Sequence, residues 1–490
     1  MARQVTKLTS ISSKVALKQN KKNIIGILII VILSICILVL PGWLGLDLDL
    51  PVSLSVIVLL SVYIVLSFEI IHRTAIALLG ATLILIIGIS TNLFTAQESF
   101  EFAINSIDFN TIGLLIGMMI IVAILAETGV FQYVAVRASK ASKGNLWKLM
   151  LMLCTFTAIT SMFIDNVTTV LLMVPVTISV FRTFKVSPIP FILSQVLASN
   201  VGGAATLIGD PPNIMISSAA NIDFNSFILH MGPTIFVLFI VSLLLLKILF
   251  RRELKLQVHN FQELMKEGET RLIKDKTLLK KSIAILLGVV ALFIIHGSLH
   301  IEPSVIALGG AALLMVITKA QPERVLHEVD WSTLIFFTGL FIIVGATEHA
   351  GTIELLSSSA LAITAGNPWF ILIIIIWLSA ISSAFVDNIP FTATMIPLIQ
   401  TLNVEPTIAN TFGDFHFSPL WWALSLGANL GGNGTLIGSS AGIIAAGLAE
   451  KNGYQITFNR FFRTGFPFMI CTVAIGTIVI MLNTLLKLWQ

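Results

Sequence analysis

Charge is what this chain has least of. Lys, Arg, Asp and Glu make up 11% of its 490 residues, less than half of the roughly 25% found in soluble domains. Hydrophobic residues make up 56%, and the mean hydropathy is +0.97. A soluble domain is excluded. So is a nucleic-acid partner, because the net charge of +4 is punctuation between apolar runs and not a basic patch. Cysteine is scarce too. Cys36, Cys154 and Cys471 each stand alone in an apolar run without a CxxC pair, which argues against a disulfide framework and a zinc site. No GxxxxGK phosphate loop occurs, so this chain does not drive its work by hydrolysing ATP. A separate ATPase subunit stays open, and no cofactor is expected.

What is present are runs of about 20 apolar residues, the length a helix needs to cross a bilayer. The fold class is therefore an all-α polytopic membrane protein with about 11 transmembrane helices, its first partner the lipid bilayer. Lys and Arg beside membrane helices stay cytoplasmic. They fall at 3–22, 73, 137–148, 182–185, 247–281, 319–324 and 451–463, which together hold 28 of the 29; Lys487 is the exception. The loops near 41–53, 91–107, 217–230, 296–303, 348–367 and 399–418 hold none.

That segregation dictates a path. Residues 1–22 form a cytoplasmic basic tail. The segment 23–52 supplies a first helix, over 23–46, and an outer loop; it lacks a small-x-small cleavage site and is read as retained. Helices follow near 53–69, 74–91 and 109–126. The stretch 147–181 leaves the inside and returns to it, a broken segment near 188–216 runs outward, and 231–250 returns. The charged loop 253–280 is cytoplasmic. A further helix lies near 282–298, and 368–400 leaves the outside and returns to the outside. The expectation is a multi-pass protein of the cell (inner) membrane, N-terminus cytoplasmic and C-terminus outside. Whether each hairpin is re-entrant or crosses twice has the same parity.

The chain also repeats itself. DFNTIGLLIGMMIIV from 108 matches DWSTLIFFTGLFIIV from 330, and SMFIDNVTTVLLMVP from 161 matches SAFVDNIPFTATMIP from 383, both at an offset of 222. NVGGAATLIG from 200 matches NLGGNGTLIG from 429, at 229, the difference falling in an insertion near 401–418. Shared lipid composition could align Leu and Ile, but not Asp, Asn, Pro and paired Gly. Residues 53–252 are repeat 1 and 281–490 repeat 2, of opposite orientation. Inverted repeats of this kind build secondary transporters whose site lies at mid-membrane, where broken helices meet.

The polar residues at those places are the candidates. Asp165-Asn166 and Asp387-Asn388, with Thr168, either cap helices or bind a proton or Na⁺ inside the membrane, where a carboxylate is costly enough to suggest function. Asn200, Gly202, Gly203 and Thr206, and their counterparts Asn429, Gly431, Gly432, Asn433 and Thr435, read as helices unwound at mid-depth; close helix packing is the alternative. In GDPPN, Asp210 and Asn213 have no acidic counterpart in the second half, which reads GSSAG; Asp210 is a helix start or a one-sided coupling residue. Glu127, Glu348 and His349 end matching helices and read as interface residues. The remaining histidines lack metal-ligand spacing.

These segments resemble the ion transporter superfamily of arsenite permeases, NhaD-type sodium–proton antiporters and the P-protein-like branch, over about residue 53 to the end. SMFIDNVTTVLLMVPVTI, GGAATLIGDPPNIMI and SAFVDNIPFTATMIPLI carry the likeness. More distantly the chain is similar to sodium-coupled di- and tricarboxylate symporters with a citrate transporter-like domain. The resemblance implies a re-entrant hairpin and a broken helix in each half, a scaffold plus a transport domain, an elevator motion and a homodimer. Those symporters carry Ser-Asn-Thr at both hairpin tips. Here Asn166 and Asn388 remain, but Asp165 and Asp387 replace Ser, and Val167 and Ile389 replace Thr. Two added carboxylates repel a dianion, so a cation or a neutral solute fits better. The expected activity is not enzymatic: a secondary active transporter coupled to H⁺ or Na⁺, an antiporter or efflux permease for arsenite or Na⁺. Na⁺ is accommodated by Asp165, Asn166, Asp387 and Asn388, without a resident metal. A sodium-coupled anion or dicarboxylate carrier, a channel and an intramembrane aspartyl protease are the competing readings; the protease needs a GxGD-type sequence that IleGlyAsp at 208–210 only partly supplies.

Overall fold

The computed structural model describes residues 24–38, 49–68, 70–258, 272–413 and 415–488. The basic tail, part of the first expected helix and much of the charged loop lie outside these residues. Among the described residues every regular element is a helix. Ten are long and apolar enough to cross a membrane, and Ile24–Leu38, Ile189–Gly203, Pro303–Thr318 and Thr352–Ile363 are shorter apolar helices.

The spans fall close to where hydropathy puts them. The stretch expected at 74–91 is Arg73–Ser90, and 109–126 is Phe109–Glu127. The helix expected to start near 231 begins earlier, at Phe224. Asp223 starts it there, its Oδ1 accepting from Ser226 N at 2.7 Å. The short helices Glu98–Ser106, Val130–Ala141, Pro322–His327, Thr352–Ile363 and Pro406–Phe412 fall in segments the sequence reads as connections, because a window sized for a membrane span averages them away.

The described residues group into two compact units. The first takes the residues up to Ile107 and adds Trp331–Ser358. In it Trp331–His349 packs along Arg73–Ser90. Gly339 makes the approach close: a Cβ there would stand 2.8 Å from the Ala77 carbonyl group. The helix starts are pinned side by side, Arg73 donating to Thr333 Oγ1 at 2.6 Å and Thr74 Oγ1 to Ser332 O at 2.9 Å. The second unit holds Asp108–Asp330 and the residues from Ser359 onward. In it Phe109–Glu127 packs along Pro303–Thr318. Gly117 lies so close to the Ala307 backbone that no side chain fits, and Ser304 N donates to Asn110 Oδ1 at 3.0 Å. Gly117 and Gly339 are separated by the repeat offset. The same small-residue joint is thus made twice, each time between one helix from either sequence half.

Each hairpin is two helices joined at an Asp-Asn pair. The first is Leu146–Phe163 with Asn166–Phe184, the second Pro368–Phe385 with Asn388–Asn403. Asn145 and Asn367, one repeat offset apart, start them: Lys148 N donates to Asn145 Oδ1, and Trp369 N to Asn367 Oδ1, both at 3.0 Å. The first broken helix, Ile189–Gly203 then Pro211–Ala220, starts beside the base of the first hairpin. It ends at the base of the second, where Gln400 Nε2 donates to Ala219 O at 3.3 Å. The other broken helix, Pro419–Gly431 then Ser440–Lys451, runs the opposite way. Ser418 Oγ donates to Asn403 Oδ1 at 2.6 Å at its start, and Arg182 donates to Asn452 Oδ1 at 3.2 Å at its end. The two hairpin bases therefore sit at opposite ends of both broken helices. Their tips meet at the breaks, so the hairpins are re-entrant, which charge parity alone leaves open.

Candidate functional site

All the candidate site residues lie in the second unit, and one carboxylate ties the two hairpins together. Asn166 Nδ2 donates to Asp210 Oδ2 at 2.6 Å, and Asn388 Nδ2 donates to Asp210 Oδ1 at 3.1 Å. Asn166 and Asn388 are the first helical residues after the two tips, and Asp210 is 1% exposed. Hydrogen bonds to an ionised acceptor are roughly twice as strong as neutral ones, so a charged Asp210 clasps both tips.

Around it the broken helices exchange amides. Asn166 Nδ2 also reaches Asn200 Oδ1 at 3.0 Å, and Asn200 Nδ2 donates to Asn433 Oδ1 at 3.0 Å. Asn213 Nδ2 closes the first break by donating to Gly203 O at 3.0 Å and Thr206 O at 2.8 Å. Its Oδ1 accepts from Ser425 Oγ at 2.8 Å and Asn429 Nδ2 at 2.7 Å. The unwound backbone is thus satisfied from within the protein, as lipid depth demands.

Asp165 and Asp387 do cap their helices. Thr168 N donates to Asp165 Oδ1 at 2.9 Å, which is Thr168's part in the site, and Ile389 N donates to Asp387 Oδ1 at 3.3 Å. The two are not equivalent. Ser440 Oγ donates to Asp387 Oδ2 at 2.6 Å, whereas the position matching Ser440 in the first half is Pro211, which carries no such donor.

Thr206 and Thr435 brace the breaks against the tips. Thr206 Oγ1 donates to Met162 O, and Thr435 Oγ1 donates to Ala384 O at 2.5 Å. The glycines permit close approach: a Cβ on Gly202 would meet the Ala158 backbone, and one on Gly431 the Ala380 backbone. Gly203 offers its carbonyl to Asn213, and Gly432 ends the first half of its broken helix. Both readings of the glycine pairs, unwinding and packing, describe the same residues.

Three buried atoms in this region have no protein partner: Ser161 Oγ, Asn429 Oδ1 and Asn433 Nδ2. An unpaired buried polar atom costs about 1–3 kcal/mol, so these are ready to meet water or a ligand. The segments that build the site, 149–181, 186–246 and 359–450, contain no Lys or Arg. Among the described residues no three His, Cys, Asp or Glu side chains gather to hold a metal. Ser425, Ser439 and Ser440 join the site without having been singled out; Ser439 Oγ donates to Asn200 Oδ1 at 3.2 Å. Their only signal is position: Ser439 and Ser440 follow the second break directly, and Ser425 lies one turn before Asn429 in the helix leading to it. Glu127 is outside the site, paired with Arg324 at 3.0 Å. His349 packs on Phe102 with ring centroids 5.5 Å apart.

The sequence model of a family described as citrate transporters matches residues 63–427. A protein of Mycobacterium tuberculosis described as an uncharacterized transporter is 38% identical over 429 residues, covering 88% of this chain and 98% of its own. The mouse P protein is 34% identical over 528 residues, covering 91% of this chain and 62% of its own length. The Neisseria gonorrhoeae protein MtrF, described with a class of antimetabolite efflux pumps, superposes with a TM-score of 0.56 at 12% identity, over 90% of this chain and 96% of its own; at that identity the likeness is one of fold.

Proposed function

This chain belongs to the citrate transporter family, and from that premise we propose that it is a proton- or sodium-coupled antiporter that exports arsenite or Na⁺ across the inner membrane. The observation that carries the reading is the single buried Asp210 carboxylate, bonded at once to Asn166 and Asn388 on two tips that enter from opposite ends. A proton or Na⁺ arriving at Asp210 competes directly with those amides. Loading the ion therefore loosens the clasp on the tips, and releasing it restores the clasp. Asp165 and Asp387, one residue from these amides, are placed to pass the ion in or out. Asp, Asn and carbonyl oxygens are hard ligands suited to Na⁺. The unpartnered Asn429 Oδ1, Asn433 Nδ2 and Ser161 Oγ are placed to greet the cargo.

A sodium-coupled carboxylate carrier is the second reading, favoured by the family's description. The chemistry of the site weighs against it. The site residues Asp165, Asp210 and Asp387 are carboxylates, and with no Lys or Arg in the building segments nothing there neutralises a di- or trianion; like charges about 4 Å apart repel by roughly 4 kcal/mol at an effective dielectric of about 20.

The experiment is reconstitution of the purified chain in proteoliposomes loaded with a pH-sensitive dye. Na⁺, Li⁺, arsenite and citrate are added in turn. Proton movement driven by Na⁺ or arsenite, and absent in Asp210→Asn, is the expected result. Movement driven by citrate alone overturns the proposal in favour of the carboxylate carrier.

A further inference from the structure

Apart from the polar site, a cavity opens in the same unit. It is a cleft of about 480 Å³ lined by Phe109–Glu127 on one wall (Asn110, Leu114), the 217–223 segment on another and the turn at 296–303 on a third. Its floor includes Leu207 and Ile214, so it approaches the first break without containing any residue of the polar site described above. We propose that this cleft is a separate binding site for a small organic cation, a solute with an ammonium group on an apolar body.

Size comes first. The volume is that of a small-molecule site, which typically spans roughly 300–1,000 Å³, and far exceeds what a proton or a bare Na⁺ requires. Charge comes second. The ionisable side chains of the lining are Asp223, Glu302, His296 and His300, and no Lys or Arg is among them. His296 is committed to the backbone on both sides: Phe224 N donates to Nε2 at 3.1 Å, and Nδ1 faces Ile301 O at 3.2 Å. Asp223, Glu302 and His300 remain, two carboxylates against one imidazole, so the acids set the sign of the field. Asp223 uses Oδ1 to hold Ser226 N. Its Oδ2 lies beside Gly297, where a Cβ would stand 2.9 Å away; a larger residue at 297 would crowd that oxygen.

A third observation points to a ligand independently of the acids. Ser217 lines the cleft, is 4% exposed, and its Oγ has no hydrogen-bond partner. A buried hydroxyl without a partner is uncommon in a native fold, and its oxygen is an acceptor for an N–H of an ammonium group. A coordinated metal ion is not the occupant, since among the described residues no three metal-ligating side chains converge. Leu114, Leu207, Ile214 and Ile301 supply apolar surface for the body of the solute.

The test uses three probes of one shape and different charge: phenethylammonium, phenylacetate and 2-phenylethanol, titrated calorimetrically into the full chain in lipid nanodiscs. The expected result is saturable binding of phenethylammonium, none of phenylacetate, and at least tenfold weaker binding of the ammonium probe to Asp223→Asn/Glu302→Gln. Asp223→Asn keeps a side chain able to start the helix. Glu302 makes no side-chain cap bond, so Glu302→Gln alone provides a folded variant whose affinity must also fall. Asp210→Asn, which removes the clasp of the polar site, must bind the probe within twofold of the unsubstituted protein; this separates the cleft from the transport reading. Equal binding of phenylacetate, no binding of the ammonium probe, unchanged affinity in either acid-neutralised protein, or loss of binding in Asp210→Asn would each overturn the proposal.

Discussion

The two broken helices share a skeleton and differ in what hangs on it. Gly202 and Gly431 meet equivalent backbone of the two hairpins, at Ala158 and Ala380. Thr206 and Thr435 brace equivalent tips. Yet the first helix carries Asp210 and Asn213 where the second carries Ser439 and Gly442, and the second carries Asn433 where the first carries Ala204. The matched glycines and threonines do the packing and matched asparagines line the breaks, while the unmatched Asp210, Asn213 and Asn433 make the two halves of the site different. Duplication repeats the frame; divergence leaves an acid at this position of the first broken helix, Asp210, and a serine at its counterpart, Ser439.

The sharpest way to break this comparison is to move the acid. Asp210→Ser combined with Ser439→Asp would work if the halves were interchangeable. We expect coupled flux in proteoliposomes to fall about 100-fold, as in Asp210→Asn, because two charge-assisted bonds are lost and each 1.4 kcal/mol is a factor of ten. Next come the tips. Asp165→Asn and Asp387→Asn keep their caps, since Asn serves as well as Asp there, and are expected to leave the fold intact while abolishing proton movement in the dye assay; wild-type coupling in both would remove these residues from the ion path. A smaller, symmetric effect is expected of the glycines. Gly202→Ala and Gly431→Ala each drive a methyl group into hairpin backbone, and by the usual cost of overpacking each should lose about 1–3 kcal/mol, read as similar drops in thermal stability in detergent. Smallest is Arg324→Ala. Its pair with Glu127 is 66% exposed on the arginine side, and such pairs are worth under about 1 kcal/mol, so the melting temperature should scarcely move.

Where the sequence speaks through long apolar runs, the structure agrees with it. The spans at 73–90 and 109–127 and the two Asp-Asn turns lie within a few residues of expectation, because a membrane helix must be uniformly apolar and its interruption is conspicuous. Asp210 stands out in the sequence only by lacking a counterpart. What it meets is two amides contributed from 44 and 178 positions away, a juxtaposition that no local pattern reveals. Ser425, Ser439 and Ser440 were silent for another reason: serine is unremarked in any helix or turn, and only the fold shows that these hydroxyls meet Asn213, Asn200 and Asp387.

The crossed helix joints bear on how the molecule is made. As the ribosome delivers the chain, Phe109–Glu127 enters the membrane with its glycine notch unfilled, and Pro303–Thr318 follows only after both elements of the first hairpin, its broken helix and the charged loop have been synthesised. Arg73–Ser90 waits longer still for Trp331–His349. Neither joint can close until its partner helix from the second half has been made, so both are late steps of assembly.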